Sequence, residues 1–108
     1  MSSAKPRVIV TALFITALLG TAAAAAPEEL AVKAGCAGCH AKDKKLLGPA
    51  YHDIAAKYKA DPKAATALLA KARSGGKGVW GQVPMPPVDA NKVGDADLAA
   101  IVDWILKQ

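Results

Sequence analysis

Cys36-Ala37-Gly38-Cys39-His40 holds both cysteines of the chain and one of its two histidines. C-x-x-C-H is the spacing by which a c-type haem is attached. Two thiols one helical turn apart can each add across a vinyl group of the same porphyrin. The next residue then sets an imidazole beneath the iron as an axial ligand. Iron held this way needs a sixth ligand, whose identity separates an electron carrier from an enzyme. Other chemistries fit the pentapeptide less well. A thioredoxin-like dithiol expects strands alternating with helices, and the chain has almost no strand-like alternation. A structural zinc ion needs four ligands, and only Cys36, Cys39, His40 and His52 exist, with His52 out of spacing. A lone disulfide is the plainest alternative, but a secreted disulfide framework normally uses more cysteines.

Met85 is the one thioether besides the initiator, and it sits in Val83-Pro84-Met85-Pro86-Pro87. A lone methionine commonly fills a gap in a core. Here three prolines in four positions fix backbone angles and remove amide donors, so the loop can hold a sulfur at iron without regular structure. A His/Met pair is the axial set of electron-transfer cytochromes c and raises the reduction potential. The neutral, soft thioether favours the ferrous state. His52 competes for the same position, but in Ala50-Tyr51-His52-Asp53 it reads as a surface imidazole on an amphipathic helix.

The elements that would position these groups are helical. Pro27-Glu28-Glu29 opens a first helix, with proline in the first turn and acids at the positive end, and Gly35 ends it. Pro49 opens a second, about 49–58. Asp61-Pro62 caps a third, which Gly75-Gly76 stops after Arg73. Its apolar face is Ala65, Leu68, Leu69 and Ala72. A Gly- and Pro-rich loop spans 74–91. The last helix runs from about Asp95 to Lys107, with Leu98, Ile101, Val102 and Ile105 at helical spacing, and Trp104 reads as a core residue.

Lys5 and Arg7 precede an apolar run over residues 8–19, followed by an alanine tract at 22–26. This order is that of a secretory signal peptide, and the run is short for a membrane span. Residues 1–24 are therefore expected to be a leader cut after Ala24, with Ala25 and Ala26 as alternative cut points. Residues 25–108 would form one domain. That length is marginal for a self-sufficient apolar core, and Phe14, the only phenylalanine, lies in the leader. A buried porphyrin would supply the missing volume. Beyond the leader twelve bases face nine acids, a formal +3, which two ionised propionates would lower to about +1. No basic cluster interleaves with aromatics, which argues against nucleic-acid binding. Lys33, Lys42, Lys44 and Lys45 gather near the C-x-x-C-H segment. They read as a solvated face or as a basic collar that steers acidic redox partners.

Taken together, Gly35-Cys36-Ala37-Gly38-Cys39-His40, Gly48-Pro49-Ala50-Tyr51, Gly78-Val79-Trp80-Gly81 and Pro84-Met85-Pro86-Pro87 resemble the small class I bacterial cytochromes c. The kind they look most like is cytochrome c-551, also called cytochrome c8. The resemblance spans nearly all of residues 25–108. It implies an all-α fold of about four short helices wrapped around one covalently bound haem. It implies thioethers at Cys36 and Cys39, and His40 and Met85 as axial ligands. The Pro49 carbonyl would accept a hydrogen bond from His40, a contact that orients an iron-bound imidazole. Trp80 would donate its indole N–H to a haem propionate, and Lys71, or Arg73 nearby, would be the basic propionate partner. Two departures stand out. Val88 occupies a position where the family carries an amide able to bond the methionine sulfur, and the segment 88–94 is a few residues longer.

The expected protein is thus a periplasmic, monomeric one-electron carrier with one haem c, and not an enzyme. It would shuttle between a membrane-bound donor complex and a nitrite reductase, terminal oxidase or peroxidase. It would have no nucleic-acid partner and no stable membrane insertion after leader removal. The alternatives are a small haem enzyme or ligand-binding protein with a displaceable sixth ligand, and a docking subunit of a larger haem complex.

Overall fold

Helix α1, Pro27–Lys33, begins as its sequence dictates, with Pro27 in the first turn, Glu28 and Glu29 behind it, and Lys33 in the last turn. The computed structural model describes residues 2–18, 20 and 25–108. Gly35 then turns the chain at φ +89, a left-handed conformation that glycine adopts without steric cost. One 3-10 turn follows at Cys36–Gly38. Helices α2 (Tyr51–Tyr58), α3 (Ala64–Ser74) and α4 (Asp95–Leu106) complete the order. Among the described residues there is no β-strand, only two isolated antiparallel bridges, His40 with Lys45 and Gly76 with Met85.

Two helices start later than their prolines suggest. α2 begins at Tyr51 because Ala50 is extended, at φ −61 and ψ 146, while the carbonyl of Pro49 faces His40. α3 begins at Ala64 because Asp61 first closes a tight turn. Its carboxylate accepts the Lys63 N–H at 2.8 Å, and its carbonyl accepts that of Ala64 at 3.2 Å.

α4 is the central element and packs against α1, α2 and α3. Leu98 and Ile101 are each only 1% exposed, and they form the core with Ala31, Ala34, Ala72, Val88 and Val93. Among the described residues, six of the thirteen buried apolar ones are alanines. Such short side chains let helices approach but leave the space beside α4 unfilled. Trp104 is only half-buried and meets Tyr51 edge-on.

Residues 2–18 carry no helix or strand and are exposed, Phe14 to 92%. Leu19, Ala22 and Ala24, and with them the expected cut after Ala24, lie outside the described residues. Ala25 and Ala26 are exposed. Among the described residues no helix is long and apolar enough to cross a membrane.

Candidate functional site

The unfilled space is a cavity of about 350 Å³ whose wall includes Cys36, His40, Pro49, Lys71, Trp80 and Met85. Six of the seven residues singled out from the sequence therefore meet at one place. Cys39, half-buried and next to His40, is not on the wall. Leu98, Ile101 and Val102 of α4 and Leu68 of α3 give the cavity an apolar lining.

His40 is held on several sides. Its Nδ1 lies 2.7 Å from the Pro49 carbonyl oxygen. A carbonyl can only accept, so Nδ1 carries a proton, and in the neutral ring that leaves Nε2 as the nitrogen able to bind a metal. Gly48 presses on the ring: a Cβ there would come within 2.5 Å of Cε1 and 2.9 Å of Nδ1. The Gly48 N–H is itself fixed on the Cys39 carbonyl at 2.8 Å. Tyr51 stacks on the imidazole, with centroids 5.6 Å apart and planes 19° apart, and Trp104 meets Tyr51 at 5.1 Å and 72°.

The Tyr51 hydroxyl is buried without a hydrogen-bond partner. Burial, reinforced by negative charge at Cys36 and Glu28, pushes its pKa up to about 12. Burial also pushes the Cys36 thiol above its ordinary range, with a backbone hydrogen bond pulling the other way. A reactive redox dithiol needs the opposite, a lowered thiol pKa, and both cysteines are free. Among the described residues no three His, Cys, Asp or Glu side chains gather as metal ligands, so the four ligands of a structural zinc site are not assembled.

Met85 is fixed through its backbone. Its N–H donates to the Gly76 carbonyl at 2.8 Å, and its carbonyl accepts the Gly76 N–H at 3.0 Å. Gly75, at φ +67, makes the approach possible, because a Cβ there would lie 2.5 Å from the Met85 oxygen and 2.8 Å from the Pro87 nitrogen. Lys71 lies across Gly76, where a Cβ would be 2.7 Å from Nζ. Trp80, 42% exposed, is also on the wall, and Lys57 Nζ sits 5.5 Å from its ring centroid.

Arg73 points elsewhere. Its guanidinium bonds Val88, Val93 and Asp95, so of the two basic residues considered for the propionates only Lys71 reaches the cavity. His52 is exposed and off the wall, and Lys33, Lys42, Lys44 and Lys45 are exposed as well. Gly48 and Tyr51 entered the sequence analysis only as part of the Gly48-Pro49-Ala50-Tyr51 motif, with no contact of their own assigned, and Lys57 did not enter it. Their place around Pro49 in that motif was the signal that could have found Gly48 and Tyr51.

A porphyrin needs an apolar slot, donors for iron and cations or N–H groups for its carboxylates. The slot is here, with an imidazole, a thioether, an ammonium and an indole among its lining groups, so the residues fit that group.

Residues 24–108 match the family described as Cytochrome c. The chain is 50% identical over 91 residues to cytochrome c-551 of Allochromatium vinosum, covering 84% of this chain and 95% of that protein. It is 40% identical over 105 residues to cytochrome c-551 of Pseudomonas aeruginosa, covering 96% and 98%. The crystal structure of wild-type cytochrome c552 of Nitrosomonas europaea superposes with a TM-score of 0.69 at 50% identity, over 74% of this chain and 96% of that one.

Proposed function

The chain belongs to the cytochrome c family, with the small class I fold and a covalently bound haem c, and from that premise we propose that it is a periplasmic one-electron carrier ligated by His40 and Met85. The observation that carries this reading is the meeting of Cys36, His40 and Met85 on one apolar cavity, with both ligand candidates fixed by backbone contacts. When bound, the haem supplies one reversible electron. The chain's own groups do the rest.

Cys36 and Cys39 anchor the macrocycle as thioethers. The Pro49 carbonyl holds the Nδ1 proton of His40 and strengthens Nε2 as a donor. Met85 would hold the iron as the second protein ligand, so that an external molecule would have to displace its sulfur to bind. Backbone pairing at Gly76 and stacking on Tyr51 keep both ligands in place in either oxidation state. Lys71 and Trp80, both on the cavity wall, would supply the haem carboxylates with a charge and an N–H. The apolar floor of α4 excludes water, which strengthens every charge interaction inside.

Residues 2–18 leave a run of apolar side chains in solvent, which supports their reading as part of an export leader spanning 1–24, ahead of a carrier domain at 25–108. Outside it Lys33, Lys42, Lys44 and Lys45 form a basic collar for acidic redox partners. Those partners are a membrane-bound donor complex and a nitrite reductase, terminal oxidase or peroxidase. Such rim charges act on association rate and fade with salt.

The test is ligand addition to the purified holoprotein. Carbon monoxide on the ferrous form and cyanide on the ferric form, at modest concentration, are expected to leave the optical spectra unchanged. Met85→Ala is expected to bind both and to lower the potential. Rapid binding to the unaltered protein would favour a haem enzyme with a displaceable sixth ligand instead.

A further inference from the structure

We propose that Arg73 is the positioning residue of the Met85 ligand; the proposal rests on the His40/Met85 reading. Val88 carries no side-chain group that can bond the methionine sulfur, which puts weight on the backbone contacts on either side of Met85. Between Met85 and Val88 lie Pro86 and Pro87, which lack N–H groups and have fixed φ. The segment from Met85 to Val88 is therefore a stiff arm, about 9 Å long in extended form. Its near end is paired with Gly76. Its far end hangs on the last turns of α3. The Val88 N–H donates to the Ala72 carbonyl at 2.8 Å, and Arg73 Nη1 donates to the Val88 carbonyl at 3.1 Å.

The same guanidinium reaches the start of α4. Arg73 Nη2 donates to the Val93 carbonyl at 2.7 Å and to Asp95 Oδ1 at 2.8 Å, and Nε donates to that oxygen at 3.1 Å. One planar fork thus ties α3, the methionine arm and the helix that floors the cavity. Its parts differ in weight. Asp95 is 86% exposed, and an exposed ion pair contributes little. Val88 and Val93 are buried, and a buried carbonyl left without its charged donor is costly. The positioning therefore runs through the two carbonyls rather than through the ion pair. A lysine keeps the charge but offers no rigid fork.

The experiment is imidazole titration of the ferric holoprotein at a temperature well below its thermal midpoint, read by loss of the weak near-red sulfur–iron band. Arg73→Gln and Arg73→Lys are expected to lower the imidazole concentration at half-displacement about tenfold, while Asp95→Asn changes it less than twofold. Arg73→Lys, with its charge and alkyl stem, serves if Arg73→Gln does not mature. Ala31→Gly, in the core on α1, is the control for general destabilisation. It is expected to lower the thermal midpoint and leave the imidazole midpoint within twofold.

The proposal is overturned if the Arg73 variants stay within twofold of the unaltered protein. It is also overturned if Asp95→Asn or Ala31→Gly moves the midpoint as far as Arg73→Lys does. A band absent from the unaltered protein, or surviving in Met85→Ala, overturns the ligation reading itself and is told apart by that control.

Discussion

Each residue around His40 does a separate job, and Tyr51 does the one with the clearest pH signature. It orients the imidazole by stacking and buries a hydroxyl that has no partner. Its pKa of about 12 in the fold, against the ordinary 10.0, means that folding favours the neutral phenol. Stability from this group is complete below pH 10 and is lost as pH rises toward 12, because only the unfolded chain releases the proton there. Burial, the largest cause, persists in the holoprotein, whereas Cys36 carries no charge once it is a thioether. The expected loss therefore stays below the roughly 2 kcal/mol that the full shift would give. Urea unfolding of the holoprotein across that range measures it, and Tyr51→Phe should flatten the slope. An equal slope in both proteins would assign the effect to other groups. At this scale the sequence was informative where chemistry forces residue type and spacing, as at Cys36, Cys39 and His40. It was silent on Tyr51, since one tyrosine after a proline does not reveal whether its hydroxyl is partnered. Arg73 was read as the alternative to Lys71 for the propionates; its three backbone and side-chain acceptors come from segments that meet through folding.

Among the elements, the loop from Gly75 to Val88 decides whether a sulfur reaches the cavity. Gly75 sits at φ +67 and ψ −164, a region open essentially to glycine alone, and its Cα faces the backbone of Met85 and Pro87. Gly75→Ala adds strain and a backbone collision together, about 2–4 kcal/mol. It is expected to weaken the near-red band at temperatures where the helices persist, as followed by far-ultraviolet circular dichroism. A variant with unaltered band and stability would show that the Gly76 pairing does not hold the ligand. Four helices in the right order were legible from prolines, glycines and apolar spacing. The starts of α2 and α3 were not, because the Pro49 carbonyl is committed to His40 and Asp61 closes a turn of its own. Both are contacts that helix signals do not encode. The segment 88–94 keeps its place through Val93, buried against the core.

The whole molecule is built around a space that its own side chains do not fill. A cavity of about 350 Å³, at roughly 24 cal/mol per Å³ of void, has an upper-bound cost on the order of 8 kcal/mol. That is comparable to the entire stability of a typical domain. The polypeptide without haem is therefore expected to lack a cooperative fold. Replacing both Cys36 and Cys39 by alanine, and following thermal unfolding by circular dichroism, checks this. A sharp transition in the haem-free chain would mean that the helices close the space by themselves. This dependence was foreshadowed by chain length and alanine content, while the shape of the cavity was not, since it depends on how α4 lies against the other three helices.

The central claim is that Met85 occupies one axial position opposite His40, and proton NMR of the ferrous holoprotein tests it most directly. Met85 is the only methionine after Met1, so in the mature protein its methyl signal needs no further assignment. A methyl held over the face of the porphyrin is shielded by the ring current, and the account predicts one three-proton resonance far upfield of the ordinary methionine position. A Met85 methyl at that ordinary position, in protein carrying covalent haem, would contradict it.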